Sequence, residues 1–125
     1  MKKIEIKFLN SFFKLFKAKV TINEINNDNV FYGVVKWDDG EIQNIKWINI
    51  FNSQALEITI ELCDFIFENK LIQNDSILIS EFELKNMLKV KWRQEKIDIA
   101  IDCLTCVDIK MIDGYEETDS FFVHF

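Results

Sequence analysis

Between Val30 and Trp47 two runs rich in β-branched and aromatic residues flank Asp39-Gly40, a pair suited to the positive φ angles of a tight hairpin turn. The pattern predicts an antiparallel hairpin and commits the chain to a fold that must build a sheet around it. A two-residue turn would set Trp37 opposite Ile42 and Asp38 opposite Glu41, so that apolar residues meet across the strands. It would also gather three carboxylates, Asp38, Asp39 and Glu41, at one tip.

The punctuation elsewhere is sparse. Proline is absent and glycine stands only at Gly33, Gly40 and Gly114, so no linker is visible and residues 1–125 read as one globular domain. A hydrophobic content of 49%, with twelve Phe and three Trp, is ample for a core at this length. Trp37, Trp47 and Trp92 are read as core or sheet-face residues.

Ile4, Ile6 and Phe8 alternate with Glu5 and Lys7, which predicts a short strand. Asn10 or Ser11 would then cap a short helix carrying Phe12 and Phe16 on one face, and Val20 and Ile22 resume alternation. Asn26-Asn27-Asp28-Asn29 reads as a turn, because Asn and Asp tolerate left-handed backbone.

From Ser53 to Lys70 the polar residues Glu57, Glu61, Asp64 and Glu68 recur at helical spacing, and Leu56, Ile60, Cys63 and Phe67 trace a second stripe. An amphipathic helix capped by Ser53 is expected. A further helix should open on the box Ser80-x-x-Glu83 and run to about Trp92, with Lys89, Lys91 and Arg93 at its C-terminal end. Ile97, Ile99 and Ile101, then Val107, Ile109 and Met111, alternate as two strands. Asp113-Gly114 opens an acidic turn, and Phe121 to Phe125 supplies a last apolar strand. The expected fold class is α+β, a largely antiparallel sheet packed on one or two helices.

Charge narrows the function. The net charge is −6, and from Asn23 onward twenty Asp or Glu face nine Lys or Arg. Phosphate binding draws on clustered cations, so nucleic acid is not the expected partner. No apolar run approaches the roughly twenty residues needed to span a bilayer. The Lys2-Lys3 pair is followed too soon by Glu5 and Lys7 for a signal peptide. The three Cys fit a reducing compartment, which together with the missing leader predicts a cytoplasmic protein. Lys14, Lys17 and Lys19 among Phe12, Phe13, Leu15 and Phe16 could coat an anionic membrane, but Phe residues packed inward with solvated Lys outside is the expectation.

Catalytic sets are weak. Cys103-x-x-Cys106 could, with Cys63 and His124, supply three thiolates and an imidazole to zinc, yet it lacks the Gly-containing knuckles of such sites and lies in strand-like sequence. Free thiols, buried or half-buried, are the plainer reading. His124 is the sole histidine and no nucleophile elbow accompanies it. Asp113 to Asp119 lacks the register of an EF-hand loop. No cofactor and no enzymatic activity are expected.

In size, acidic hairpin and helix faces, AT-rich composition and lack of an active site, the chain resembles the small acidic immunity proteins of contact-dependent inhibition and other bacterial polymorphic-toxin systems. The resemblance implies neutralisation of a cognate toxin protein, often a basic nuclease domain, by tight binding. The carboxylates expected to meet that partner are Asp38, Asp39 and Glu41, the stripe of Glu57, Glu61, Asp64 and Glu68, or Glu116, Glu117 and Asp119. The alternatives are a phage or plasmid inhibitor of a host nucleic-acid enzyme, and a small enzyme or zinc protein built on Cys103 and Cys106.

Overall fold

A computed structural model describes residues 3–125, so Lys2 of the basic pair lies outside the described residues. The chain runs α1 (Lys3–Lys14), β1 (Lys19–Asn26), β2 (Val30–Lys36), β3 (Ile42–Ile48), α2 (Ser53–Glu68), β4 (Ile72–Gln73), β5 (Ser76–Ile77), α3 (Glu81–Leu88), α4 (Gln94–Thr105), β6 (Ile109–Asp113) and β7 (Glu116–Phe121). The five long strands form one antiparallel sheet ordered β1-β2-β3-β6-β7, and β4-β5 is a small separate hairpin. The architecture is α+β, as the patterning predicts.

Alternation sets the faces of the sheet. Phe31, Gly33 and Val35 of β2, Ile45 and Trp47 of β3, and Ile109 and Met111 of β6 are buried, while Tyr32, Val34, Lys46 and Lys110 point the other way. Against the buried face lies α1, with Phe8 5.4 Å from Trp47, whose ring is in turn 5.5 Å from Phe31. On this layer α2 packs against both α1 and α4, and Leu56, Ile60, Cys63, Ile97, Ile101 and Leu104 complete one connected core.

Two predicted strands are helices. Residues 4–8 belong to α1, whose buried positions Glu5, Phe8, Leu9, Phe12 and Phe13 follow a 3.6-residue period. Residues 97–101 belong to α4, where Ile97, Ala100, Ile101 and Leu104 face inward and Ile99 is exposed. Five residues of alternation satisfy either geometry, and in both places the burial continues with helical spacing.

The helix ends are unusual for their residue type. In α1 the Ala18 N–H reaches the Phe13 carbonyl at 3.1 Å and the Lys17 N–H reaches that of Lys14 at 3.1 Å, with Lys17 at φ 57°. The same pair of bonds closes α2, from Leu71 to Ile66 and from Lys70 to Phe67, with Lys70 at φ 54°. Both are Schellman motifs in which Lys occupies the left-handed position usually given to Gly. At the other end of α2 the cap is Asn52, not Ser53, its side chain accepting from the Ala55 N–H at 2.8 Å. Phe67, placed by spacing on the inner stripe, is 40% exposed and carries the Lys14 ammonium 4.5 Å from its ring centre. The box at α3 forms as expected, Ser80 Oγ accepting from the Glu83 N–H at 3.1 Å.

Most of the expected acidic turn from Asp113 to Asp119 is the edge strand β7, and of the expected strand from Phe121 to Phe125 only Phe121, which ends β7 opposite Ile109, and His124, in an isolated parallel bridge with Ser76, are paired. The Ile77 N–H donates to the His124 carbonyl at 2.7 Å, and the His124 N–H donates to that of Asp75 at 3.0 Å. These bonds draw the β4-β5 hairpin onto the C-terminal segment. No described helix is long and apolar enough to cross a membrane.

Candidate functional site: an acid-rimmed aromatic groove

The hairpin between β2 and β3 forms, but its turn has three residues. Trp37 and Glu41 oppose each other, the Trp37 N–H donating to the Glu41 carbonyl at 2.8 Å and the Gly40 N–H to the Trp37 carbonyl at 3.0 Å. Gly40 sits at φ 90°, the glycine bulge that follows a type I turn in three-residue hairpins. Trp37 therefore does not face Ile42, nor Asp38 Glu41. The Asp39 carboxylate accepts from the Glu41 N–H at 2.9 Å and braces the tip, leaving Asp38, Asp39 and Glu41 all exposed.

Below this tip lies a groove of about 680 Å³. Its floor is aromatic: Phe121 from the end of β7 stands perpendicular to Phe16 at 4.7 Å and lies 5.3 Å from Trp37. The Trp37 indole is fixed by its N–H, which donates to Gln43 Oε1 at 3.1 Å. Asp38 forms one wall, and Asn74 and Asp75 of the β4-β5 turn form the other, with Lys17 also on the rim. A second hollow of about 470 Å³ shares Phe16, Trp37 and Asp38 and is edged by Asp39 and Glu41. Two carboxylates thus line the first hollow and three the second, Asp38 being common to both, beside shared aromatic rings, an arrangement that accepts a cation over an aromatic face while pairing its charge.

The other predicted carboxylates go elsewhere. Glu57, Glu61, Asp64 and Glu68 line the exposed side of α2, where Glu61 accepts from Lys96 at 3.1 Å. Glu116, Glu117 and Asp119 lie on the outer strand β7, with Glu117 3.5 Å from Lys46 and Asp119 accepting from the Ser120 N–H. None of these seven lines the groove. Sequence reasoning missed Asp75 and the roles of Phe16 and Phe121. No local signal marks them, since these separate segments converge only in the folded chain.

The thiols form no centre. Cys103 is buried within α4 and Cys106 is exposed at its C-cap, while Cys63 is buried in α2. The strand geometry expected for Cys103 and Cys106 is replaced by a helix end. Burial pushes the Cys103 thiol up to about 11, partly countered by the Thr59 hydroxyl, and pushes Cys63 higher still. Buried thiols held protonated are poor nucleophiles and poor metal ligands. Among the described residues no group of three or more His, Cys, Asp or Glu is placed to hold a metal ion.

Comparisons with protein-family models, curated proteins and solved structures return no match to this chain.

Proposed function

We propose that this chain is a protein-binding module that seats a cationic segment of a basic partner in the groove beneath the β2-β3 turn, and that it acts as an immunity protein against a toxin domain. One observation carries the reading: Asp38 and Asp75 line a hollow with Phe16, Trp37 and Phe121, and Asp38, Asp39 and Glu41 line an adjoining one with Phe16 and Trp37. Aromatic anchors set the lifetime of a complex, whereas carboxylates around them steer encounter and select charge. A basic nuclease domain, whose substrate groove is lined by Lys and Arg, has the complementary chemistry. Of the three acidic clusters, the hairpin tip is the one whose carboxylates themselves line a concave surface.

The test is isothermal titration of the protein against the product of the gene immediately upstream, at low and high salt, with rescue of cells from that product. The triple variant Asp38→Asn, Asp39→Asn, Glu41→Gln keeps side-chain shape and leaves residue 39 an oxygen to brace the turn. Its affinity should fall about tenfold or more, through slower association, and lose much of its salt dependence. Wild-type affinity and salt dependence in the triple variant would reject the groove as the docking site, and absence of both complex and rescue would reject the toxin as the partner.

A further inference from the structure

A second concave surface lies away from the groove, where the C-terminal half of α2 meets the turn between α3 and α4. It encloses about 410 Å³ and is lined by Phe65, Met87, Leu88, Val90 and Trp92, with Asn69 and Lys91 at its edge. Val90, part of its wall, is 81% exposed, an apolar knob on the rim of an apolar hollow.

The charges flanking this hollow have opposite signs. On one side the turn and its approaches carry Lys89, Lys91 and Arg93, all exposed and without an ion pair among the described residues. On the other side Glu61, Asp64 and Glu68 follow Phe65 around α2, within about 100° of it at 100° per residue. Lys96 ties the two sides together, its ammonium 4.3 Å from the centre of the Trp92 ring and 3.1 Å from Glu61.

An acidic peptide or an anionic bilayer would meet the carboxylates of α2, and a basic segment would meet the turn cations. A surface that carries knob, hollow and both signs in the reverse order satisfies all of them at once. A second copy of this chain, turned by a two-fold axis, presents that surface, because every contact in an isologous pair occurs twice with the roles exchanged. We infer that this face is a homodimer interface in which Val90 of each copy fills the other's hollow and Lys89 and Lys91 face the other's Asp64 and Glu68.

The oligomeric state of the full chain decides this, by sedimentation equilibrium from roughly 1 to 100 µM, which brackets a micromolar Kd. Wild type should run as a dimer at the upper end, and Val90→Asp should weaken dimerisation at least about tenfold without changing the circular-dichroism melt at about 1 µM or below, where both proteins are monomers, since the side chain is solvent-exposed before association. Lys91→Glu should dissociate the dimer, and adding Glu68→Lys to the same chain should restore it. A wild-type protein that stays monomeric throughout, or a Val90→Asp dimer as tight as wild type, overturns the inference. The hairpin-tip triple variant should dimerise normally, which separates this interface from the groove.

Discussion

Replacing Gly33 by Ala should loosen the sheet at the seam between β1 and β2. A methyl group built there would run into the backbone carbonyl oxygen of Thr21 and stand 2.9 Å from Ile22 Cδ1 and 3.2 Å from Ile22 Cα. Two of those three atoms are backbone, so no rotamer change relieves the contact and β1 itself must withdraw. The site is already irregular, because the β1-β2 register shifts between Ile22 and Glu24. Overpacking of this kind costs about 1–3 kcal/mol, and the reduced freedom of the unfolded chain returns about 0.4–1 kcal/mol. A net loss of about 1–2 kcal/mol is expected, or roughly 4–8 °C in Tm for a domain of this size. Urea unfolding followed by tryptophan fluorescence measures it, and amide exchange should quicken along β1 first. Gly40→Ala is the control: nothing lies within 4 Å of its added methyl, but its φ of 90° disfavours any side chain, so it should weaken the turn without altering exchange in β1. A Gly33→Ala variant as stable as wild type would refute the close approach of the two backbones.

The thiols should separate by accessibility: Ellman's reagent should titrate Cys106 rapidly in the native protein, and Cys63 and Cys103 only on unfolding, all three reacting at once being the contrary result. Stability should fall at alkaline pH, because the buried thiols keep their protons above the ordinary value of 9.0 while those of the unfolded chain ionise there. Their contribution is complete below about pH 9 and is lost as pH rises to about 11 for Cys103 and beyond that for Cys63; chemical unfolding of wild type and Cys63→Ala across this range should show a shallower slope in the variant. Asn52→Ala removes the cap of α2 and should cost about 1 kcal/mol, whereas Ser53→Ala should change the unfolding midpoint little.

The parts of the fold legible in the sequence are those governed by neighbours in the chain. The Asp39-Gly40 hairpin, the α2 period, the Ser80 box and the Asn27-Asp28 turn, with both residues at positive φ, each carry their cause within a few residues. The illegible parts lack local markers. Arg93 at the start of α4 makes no side-chain cap bond, and α1 ends with Lys17 rather than Gly in the left-handed position, so these two boundaries leave no trace in composition. The hairpin was readable, but its turn length was not, because Asp39-Gly40 serves a two-residue turn or the last two positions of a three-residue one. The same limit holds for the groove: its hairpin-tip carboxylates fall within residues 38–41 and were legible, while Asp75 and Phe121 reach them only through the β4-β5 turn and the last strand of the sheet.

The sheet joins two pieces of chain that are made far apart. β1, β2 and β3 form a meander from adjacent residues, whereas β6 reaches β3 only after residues 49–108 and is registered to it at three pairs, Asn44 with Ile112, Ile45 with Met111 and Lys46 with Lys110. Long-range strand pairing is slow compared with hairpin formation, so β3 spends part of the folding time as a bare edge carrying Ile45, Trp47 and Ile48. An unpaired apolar edge is a template for intermolecular strand addition. Lys46, in the middle of that edge, is the charge that opposes such stacking until β6 arrives, and its later contact with Glu117 gives it a place in the finished sheet. Replacing it with an apolar residue should therefore show first as aggregation during refolding at high protein concentration, before any change in the melting of the native protein.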